Sequence, residues 1–170
     1  MNLLQLNSLP QVDAEHWFSQ TCAAQKWITG MAKKRPYDSL QGLISNAQAV
    51  WQTCGIEDYL EAFEAHPMIG DVDSLRAKFA STKTLASKEQ SGADDASEQT
   101  LNELSELNRL YLQKNNFIFI ICASGLSAEA MLNALKLRIS NSHAVELEKA
   151  AAEQIKITLL RLQKGLNENP

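Results

Sequence analysis

One short stretch of the chain, His66-Pro67-Met68-Ile69-Gly70-Asp71, combines a histidine, a proline, a glycine and an aspartate directly after a helix-like segment. Histidine has the ordinary side-chain pKa closest to neutral pH, so His66 is the first candidate for a proton donor or acceptor. Residues 56–65 carry apolar side chains at helical spacing, and Pro67 disfavours a helical conformation at His66. We therefore predict a helix that ends at His66. The alternative is that His66 only caps carbonyl groups at that helix end.

Two charged side chains stand out by their surroundings. Glu89 is followed by the amide of Gln90 in a polar region that a plain helical bundle does not need, so the pair is a candidate polar clamp. Its alternative is a solvated helix start with Ser87 as the N-cap.

Arg138 has leucines and an isoleucine as sequence neighbours. If it is buried, its guanidinium needs a partner such as a carboxylate, and the alternative is a surface arginine whose charged end reaches water.

Helical periodicity covers most of the chain and predicts an all-α fold, a bundle of about eight helices. Ser39, Ser127 and Ser142 are predicted helix N-caps, and Gly55 is predicted at the C′ position of the helix that follows Ser39. A polar, linker-like region is predicted at 81–95. The predicted helices cover 14–22, 24–34, the segment from Ser39 to Gly55, 56–65, 74–80, 96–115, the segment from Ser127 to Ser140, and the segment from Ser142 to 164.

Residues 117–123 interrupt this pattern because they are continuously apolar and rich in β-branched and aromatic side chains. We predict a short, buried, extended segment that ends at Ser124-Gly125. No second strand-like run is present to pair with it, so some of its N–H and C=O groups are expected to be available to a ligand. A buried helix start or a core plug is an equal alternative.

The length and composition fit one globular domain, predicted at 1–170. The chain has 170 residues, 45% of them hydrophobic, which is enough for one core. Its 16 basic and 20 acidic side chains give a net charge of −4 without a basic cluster, so nucleic acid is not an expected partner.

The three cysteines do not have the spacing of a disulfide framework or a zinc site. A reducing compartment is therefore expected, and we predict a cytoplasmic protein. No apolar run has the length of a membrane span, and no secretory leader is recognised, so a membrane partner is not expected.

Metal and nucleophile chemistry receive little support from the residue pattern. His66 forms no recognised metal-binding spacing with Asp71 or Glu64, and we predict no metal site. Cys122 lies in the apolar run, which is expected to raise its thiol pKa and weaken it as a nucleophile. His16 and His143 are predicted to be structural.

The motifs occur in an order that closely resembles the OHCU decarboxylases, which act on 2-oxo-4-hydroxy-4-carboxy-5-ureidoimidazoline. The resemblance covers nearly the whole chain, and its most specific part is the H-P-x-I-G turn combined with a Glu-Gln pair at this distance. The matching motifs are Leu6-Asn7, Trp27 with Met31, Arg35-Pro36-Tyr37, Trp51, His66-Pro67-x-Ile69-Gly70, Glu89-Gln90, Phe117-x-Phe119-x-Ile121-Cys122-Ala123 and Arg138.

The resemblance implies an all-α, cofactor-independent enzyme of urate breakdown, a homodimer that converts this small-molecule substrate to S-allantoin with loss of carbon dioxide. By resemblance, His66 is the catalytic histidine, Glu89 the catalytic carboxylate and Arg138 the active-site arginine. Many members have a serine at the position of Ala86, so that polar contact depends here on Ser87. The resemblance places substrate contacts at Pro67, Ala86, Ser87, Lys88, Gln90, Phe119, Ile120, Ile121, Cys122 and Ala123.

The mechanism that follows is a hypothesis about three side chains. His66 supplies or relays the proton that completes the reaction, Glu89 holds a ureido or ring N–H group, and Arg138 stabilises an enolate-like oxygen. No metal or organic cofactor is expected, because the imine of the substrate itself accepts the electrons.

Two other functions are compatible with the pattern. One is a non-catalytic helical interaction module that buries the 117–123 run against a partner. The other is a lyase or hydrolase that acts on a different ureido acid. Convergence of the His66 turn, the Glu-Gln pair and Arg138 in one pocket separates the enzymes from the interaction module.

Overall fold

The computed structural model describes residues 1–67, 72–77 and 98–166. Within these residues the protein is helical and contains no strand, so the predicted all-α class is confirmed. The helices are α1 (Leu3–Ser8), α2 (Gln11–Ser19), α3 (Gln25–Lys33), α4 (Leu40–Gln52), α5 (Ile56–Glu64), α6 (72–77), α7 (Glu98–Asn115), α8 (Ala128–Arg138) and α9 (His143–Gly165).

Three serine caps begin helices where the sequence predicts them. The Ser39 hydroxyl accepts a hydrogen bond from the Gly42 N–H at 3.0 Å at the start of α4. Ser127 accepts from the Ala130 N–H at 3.1 Å at the start of α8. The hydroxyl of Ser142 lies 3.4 Å from a first-turn N–H of α9. Each hydroxyl satisfies an N–H group that has no partner inside its helix, which is why short polar residues locate these starts.

The prediction for Gly55 was wrong. Helix α4 ends at Gln52, and Gly55 instead precedes α5 with an extended backbone, φ −112°. Its N–H donates to the Asp58 carboxylate at 2.8 Å. A glycine between two helices fits either a C-terminal or an N-terminal cap, and here the aspartate three residues later provides the acceptor for the second arrangement.

The first helices also differ from the prediction. Helix α1 was not predicted, and α2 runs from Gln11 to Ser19 where a helix at 14–22 was expected. Helix α1 has six residues, too few to show an apolar period. Its start carries a reciprocal cap in which Asn2 and Gln5 each accept a hydrogen bond from the other's N–H at 2.9 Å. Of the predicted segments at 74–80 and 81–95, residues 78–95 lie outside the described residues.

The chain divides into two compact units. The first comprises Met1–His66 with Ala151–Pro170, and the second comprises Pro67–Ala150. Helix α9 supplies residues to both units. The expectation of a single domain over 1–170 stays a prediction.

The first unit has a core centred on aromatic side chains. Phe18 makes edge-to-face contacts with Trp27 and Tyr37. The indole N–H of buried Trp27 donates to the Ala47 carbonyl at 3.1 Å, so the ring is satisfied as well as packed. Other fully buried members of this core are Leu6, Met31, Leu43, Phe63 and Leu162.

Two of the resemblance motifs meet in this unit and have a structural role. The Asn7 amide donates to the Tyr37 carbonyl at 2.8 Å and accepts from the Tyr37 N–H at 2.9 Å. The Arg35 guanidinium donates to the Leu6 and Leu9 carbonyls at 3.0 and 2.6 Å. These contacts hold the C-terminal end of α1 and satisfy carbonyls that the short helix leaves open.

The second unit packs α7 against α8. Its core includes Leu75 from α6, and Leu104 and Tyr111 from α7, all with no exposed surface, together with Leu135 from α8. The Tyr111 ring also makes edge contacts with Phe117 and Phe119, so the residues that follow α7 fold back on it. In the parts of the chain that the structure describes, no helix has the length and apolar character needed to cross a bilayer.

Candidate active site

His66 lies just beyond the end of α5, as predicted. The helix ends at Glu64, Ala65 is its C-cap, and the His66 N–H donates to the Phe63 carbonyl at 3.1 Å. The backbone of His66 is therefore anchored to the last helical turn. The side chain is half-buried, which leaves part of the ring open to solvent or to a ligand.

The His66 ring contacts a buried amide of α9. Its Nε2 lies 2.6 Å from the Gln154 Oε1. The Gln154 amide nitrogen lies 3.3 Å from the Thr158 hydroxyl, which donates in turn to the Gln154 carbonyl at 3.1 Å. Gln154 and Thr158 are each 1% exposed, so this polar chain is shielded from water on the α9 side.

Burial lowers the pKa of His66, and the positive charge of Arg161 lowers it further. The hydrogen bond to Gln154 acts in the opposite direction but does not outweigh these effects. The pKa therefore lies below the ordinary value of a histidine, and the imidazole is mostly neutral at neutral pH. A neutral ring has one N–H donor and one free acceptor nitrogen, as a proton relay requires.

Arg161 and Gln154 were not among the predicted site residues. Arg161 is exposed, and its Nη1 donates to the Thr21 carbonyl at 3.2 Å. Gln154, Thr158 and Arg161 occur at i, i+4 and i+7 on α9, so they follow one face of the helix. Two polar side chains on the buried face of an amphipathic helix were a signal in the sequence that pointed to a polar site.

Several predicted site residues belong to the second unit or lie outside the described residues. Pro67 is exposed and begins the second unit. Glu89 and Gln90 lie outside the described residues, as do Ala86, Ser87 and Lys88, so their roles stay predictions. Arg138 belongs to the second unit and His66 to the first, and the predicted convergence of these groups also stays a prediction.

Arg138 is the centre of a second polar cluster. Its side chain is 11% exposed, so it is not a surface arginine. Its Nη1 donates to the Ile120 carbonyl at 2.7 Å, and its Nε donates to the Glu146 carboxylate at 2.9 Å. Its Nη2 is buried 2.9 Å from the same carboxylate oxygen, without hydrogen-bond geometry. The guanidinium also lies 4.5 Å from the centre of the Phe119 ring.

Glu146 is the carboxylate that a buried arginine requires, and it has no exposed surface. The Tyr111 hydroxyl donates to it at 2.6 Å and the Asn141 amide at 2.7 Å. Burial by itself raises the pKa of the Glu146 carboxyl, but the hydrogen bonds from Arg138, Tyr111 and Asn141 and the charge of Arg138 lower it overall. Arg138 and Glu146 thus form a largely buried ion pair with added hydrogen bonds.

Residues 118–123 belong to neither a helix nor a strand, so the predicted non-helical conformation is confirmed. The predicted burial of the run was wrong for most of it, since only Phe117 and Ile120 are buried. Ile120 is buried, and its carbonyl accepts from Arg138. Within the described residues, no backbone-to-backbone hydrogen bond links 118–121 to another segment. The other predicted contact residues of this segment, which are partly exposed, are Phe119, Ile121, Cys122 and Ala123.

A groove of about 630 Å³ in the first unit is distinct from these clusters. It runs along α3 and the end of α4, with Lys26, Lys33 and Lys34 among its lining residues. None of the predicted site residues lines it. Across the described stretches of the chain, no group of three or more His, Cys, Asp or Glu side chains is arranged to hold a metal ion.

The sequence profile that defines the OHCU decarboxylases matches residues 7–163. The chain belongs to the OHCU decarboxylase family. The matched residues include His66 and Arg138 together with their α9 partners, Gln154 and Glu146. The match confirms the family that the order of motifs predicted.

Two curated relatives are bifunctional proteins. The chain is 39% identical over 155 residues to the uric acid degradation bifunctional protein TTL of Arabidopsis thaliana, covering 91% of this chain and 47% of that protein. It is 27% identical over 175 residues to the uric acid degradation bifunctional protein of a Bacillus species, covering 99% of this chain and 33% of that protein. The chain therefore spans half or less of the length of these relatives.

A solved structure of similar length is also close to this chain. It is the crystal structure of an OHCU decarboxylase in the presence of (S)-allantoin, with a TM-score of 0.71 and 38% sequence identity. The match covers 91% of this chain and 99% of that one. The likeness therefore extends over nearly all of that solved chain.

Proposed function

We propose that this protein converts 2-oxo-4-hydroxy-4-carboxy-5-ureidoimidazoline to S-allantoin and carbon dioxide in urate breakdown. Membership of the OHCU decarboxylase family supports the reaction class. The observation that carries the proposal is His66, which is anchored at a helix end, kept mostly neutral by burial and held through one ring nitrogen by Gln154. This is the state a histidine needs in order to accept a proton and return it.

The reaction requires one bond cleavage and the controlled placement of a proton. The bond between ring carbon 4 and the carboxylate carbon breaks and carbon dioxide leaves. Its electron pair forms a double bond between carbons 4 and 5, while the electrons of the C=N bond at carbon 5 move to the nitrogen, which takes a proton from water. The resulting enol loses the proton of its 4-hydroxyl group and gains one at carbon 5, which gives the carbonyl of allantoin. Delivery to one face of carbon 5 gives the S product.

His66 is the group that we propose for this proton relay. Its free ring nitrogen accepts the hydroxyl proton and returns it to carbon 5. Acid–base assistance of this kind contributes about 10²–10⁴-fold to the rate. The ring of the substrate supplies the electron-accepting imine, so the proposed reaction needs no cofactor.

The proposed reaction requires positively charged side chains that bind the carboxylate of the substrate and stabilise the developing enolate oxygen. Arg161 is a candidate because its charge acts on His66 and it is exposed. The family resemblance instead gives this role to Arg138, and it gives the binding of a ureido or ring N–H to Glu89 and Gln90. Residues 119–123 are proposed to meet the ring and ureido groups through their backbone.

The assembly and location are further proposals. The resemblance suggests a homodimer, which sedimentation equilibrium tests directly. All three cysteines lie in the described residues and none of them forms a disulfide bond, which supports a reducing compartment such as the cytoplasm. Burial raises the pKa of both Cys22 and Cys54 to about 11, so these thiols are protonated and unreactive.

A circular-dichroism time course tests the proposed reaction. Urate oxidase and hydroxyisourate hydrolase generate the labile substrate from urate, with and without this protein. Rapid growth of the S-allantoin signal in its presence is the expected result. A signal that follows only the slow formation of racemic product contradicts the decarboxylase function and favours an interaction module. A parallel assay with another ureido acid measures the alternative lyase or hydrolase activity.

A further inference from the structure

The tautomer of His66 depends on what its Nε2 contacts. A neutral imidazole has a proton on one nitrogen and a lone pair on the other, and the hydrogen-bond partners decide which is which. The contact at 2.6 Å joins Nε2 to the Gln154 amide group. If the amide presents its oxygen, Nε2 is the donor. If it presents its NH₂ group, Nε2 is the acceptor.

Thr158 decides the direction of the amide. Its hydroxyl donates to the Gln154 backbone carbonyl at 3.1 Å, so the lone pairs of the hydroxyl oxygen remain for a donor. The Gln154 NH₂ group lies 3.3 Å away and fills this acceptor. The amide oxygen then faces His66. With the amide reversed, the Thr158 hydroxyl would have to leave the Gln154 backbone carbonyl in order to donate to the amide oxygen, so the arrangement with the oxygen toward His66 keeps both hydrogen bonds of Thr158.

We infer that Gln154 is a positioning residue that holds the proton of His66 on Nε2, so that Nδ1 is the nitrogen that exchanges a proton with the substrate. The first part stands on the geometry of the His66, Gln154 and Thr158 side chains. The second part rests on the proposed function. Gln154 acts through His66 and has no assigned contact with the substrate.

This arrangement differs from an ion-paired histidine in its response to pH. A neutral amide fixes the tautomer with much less stabilisation of the protonated ring than a carboxylate provides. Among the described residues, the charged group that acts on the pKa of His66 is Arg161, on the same helix as Gln154. Gln154 thus orients the ring and leaves it neutral, as a proton acceptor requires.

Nitrogen NMR of the ¹⁵N-labelled full-length protein tests the first part directly. Long-range ¹H–¹⁵N correlations recorded on the alkaline side of neutral pH distinguish protonated from unprotonated ring nitrogens, and the His66→Asn spectrum assigns the signals among the three histidines. The expected result is a protonated Nε2 and an unprotonated Nδ1. A protonated Nδ1 overturns the inference. The wild-type spectrum needs no variant, so the test does not depend on any variant folding.

Two substitutions then test the positioning role. Gln154→Leu removes the acceptor, and we expect a mixture of tautomers and a loss of about 10- to 100-fold in kcat with little change in KM. Gln154→Glu keeps an acceptor for Nε2, so the Nε2 tautomer should remain and most of kcat should return. Its negative charge should raise the pKa of His66 and move the acid limb of the pH–rate profile to higher pH.

A filler role and a positioning role give different results. If Gln154 only fills space, Gln154→Glu does not move the acid limb and Gln154→Leu leaves the His66 spectrum unchanged, and either result overturns the inference. Absence of decarboxylase activity in the wild type contradicts the proposed function. The spectra still decide the tautomer in that case, so the two failures are distinguishable.

Discussion

His66 and Arg138 are two basic side chains whose main side-chain partners both come from α9, but the partners differ in charge. His66 meets the neutral amide of Gln154, whereas Arg138 meets the carboxylate of Glu146. Burial keeps the pKa of His66 below its ordinary value, so the ring is mostly neutral at neutral pH and able to accept a proton. Arg138 stays charged and is held by an acid that is charged as well.

The difference separates a ring that can take up a proton from a guanidinium that stays charged and paired. A neutral partner orients His66 and leaves one ring nitrogen free to accept a proton. The guanidinium of Arg138 instead donates hydrogen bonds to the Glu146 carboxylate and to the Ile120 carbonyl. We therefore expect changes at His66 to affect mainly catalysis and changes at Glu146, the buried partner of Arg138, to affect mainly stability.

The largest effect is expected from His66→Asn. This change removes the proton relay but keeps a small polar side chain at the helix end, so kcat should fall by about 10²–10⁴-fold while the helical circular dichroism remains unchanged. The time course of S-allantoin formation measures the loss. The matched control is His16→Asn, since His16 is an exposed histidine on α2 and should be replaceable without effect. Near-normal turnover by the His66 variant removes the basis for its assigned role.

The Arg138 cluster should respond through stability. Glu146→Leu leaves a buried guanidinium without its carboxylate, and a loss of about 3–5 kcal/mol in the free energy of unfolding is expected. Arg138→Met together with Glu146→Leu removes both charges and should lose clearly less than the single change. Urea unfolding curves measure both values. If the double variant loses as much as the single variant, an unpaired charge is not the cause.

The pH dependence of stability should come partly from Glu146. Its pKa in the folded protein lies below the ordinary value, so its contribution to stability is present above the unfolded pKa and is lost as pH falls through the folded pKa. Glu146→Gln should be less stable at neutral pH and should lack this part of the acid dependence. Unfolding by urea at a series of pH values tests this, with the exposed Glu148→Gln as a control on the same helix. Parallel acid profiles for wild type and Glu146→Gln contradict it.

The smallest effect is expected from Arg161→Gln. Burial is the main cause of the low pKa of His66, and the charge of Arg161 adds to it, so removing this charge should raise the pKa by a small amount. An NMR titration of the His66 ring measures the change, with Lys164→Gln as the control for loss of a positive charge on the same helix. A pKa that falls or stays constant shows that Arg161 does not act on the ring.

The sequence predicted the local features of both clusters but not their partners. The sequence predicted the end of α5 at His66, because Pro67 disfavours a helical conformation in the residue before it. It also predicted the starts of α4 and α8, because the hydroxyls of Ser39 and Ser127 bind N–H groups of the first turn. The partner of Arg138 was expected to be a carboxylate, but the identity of Glu146 was not evident. Gln154 was missed because its place on the buried face of α9 signals a polar site but does not identify His66 as its partner.

By itself, the sequence determined the helical class, most helix boundaries and membership of the OHCU decarboxylase family, because periodicity, caps and motif order are properties of residues near one another in the chain. Only the tertiary structure decided the partners. His66 and Gln154 are 88 residues apart in the chain, and Ile120 is 18 residues from Arg138. Contacts at such separations depend on how helices pack, and that packing decides which basic side chain stays neutral and which stays in a buried ion pair.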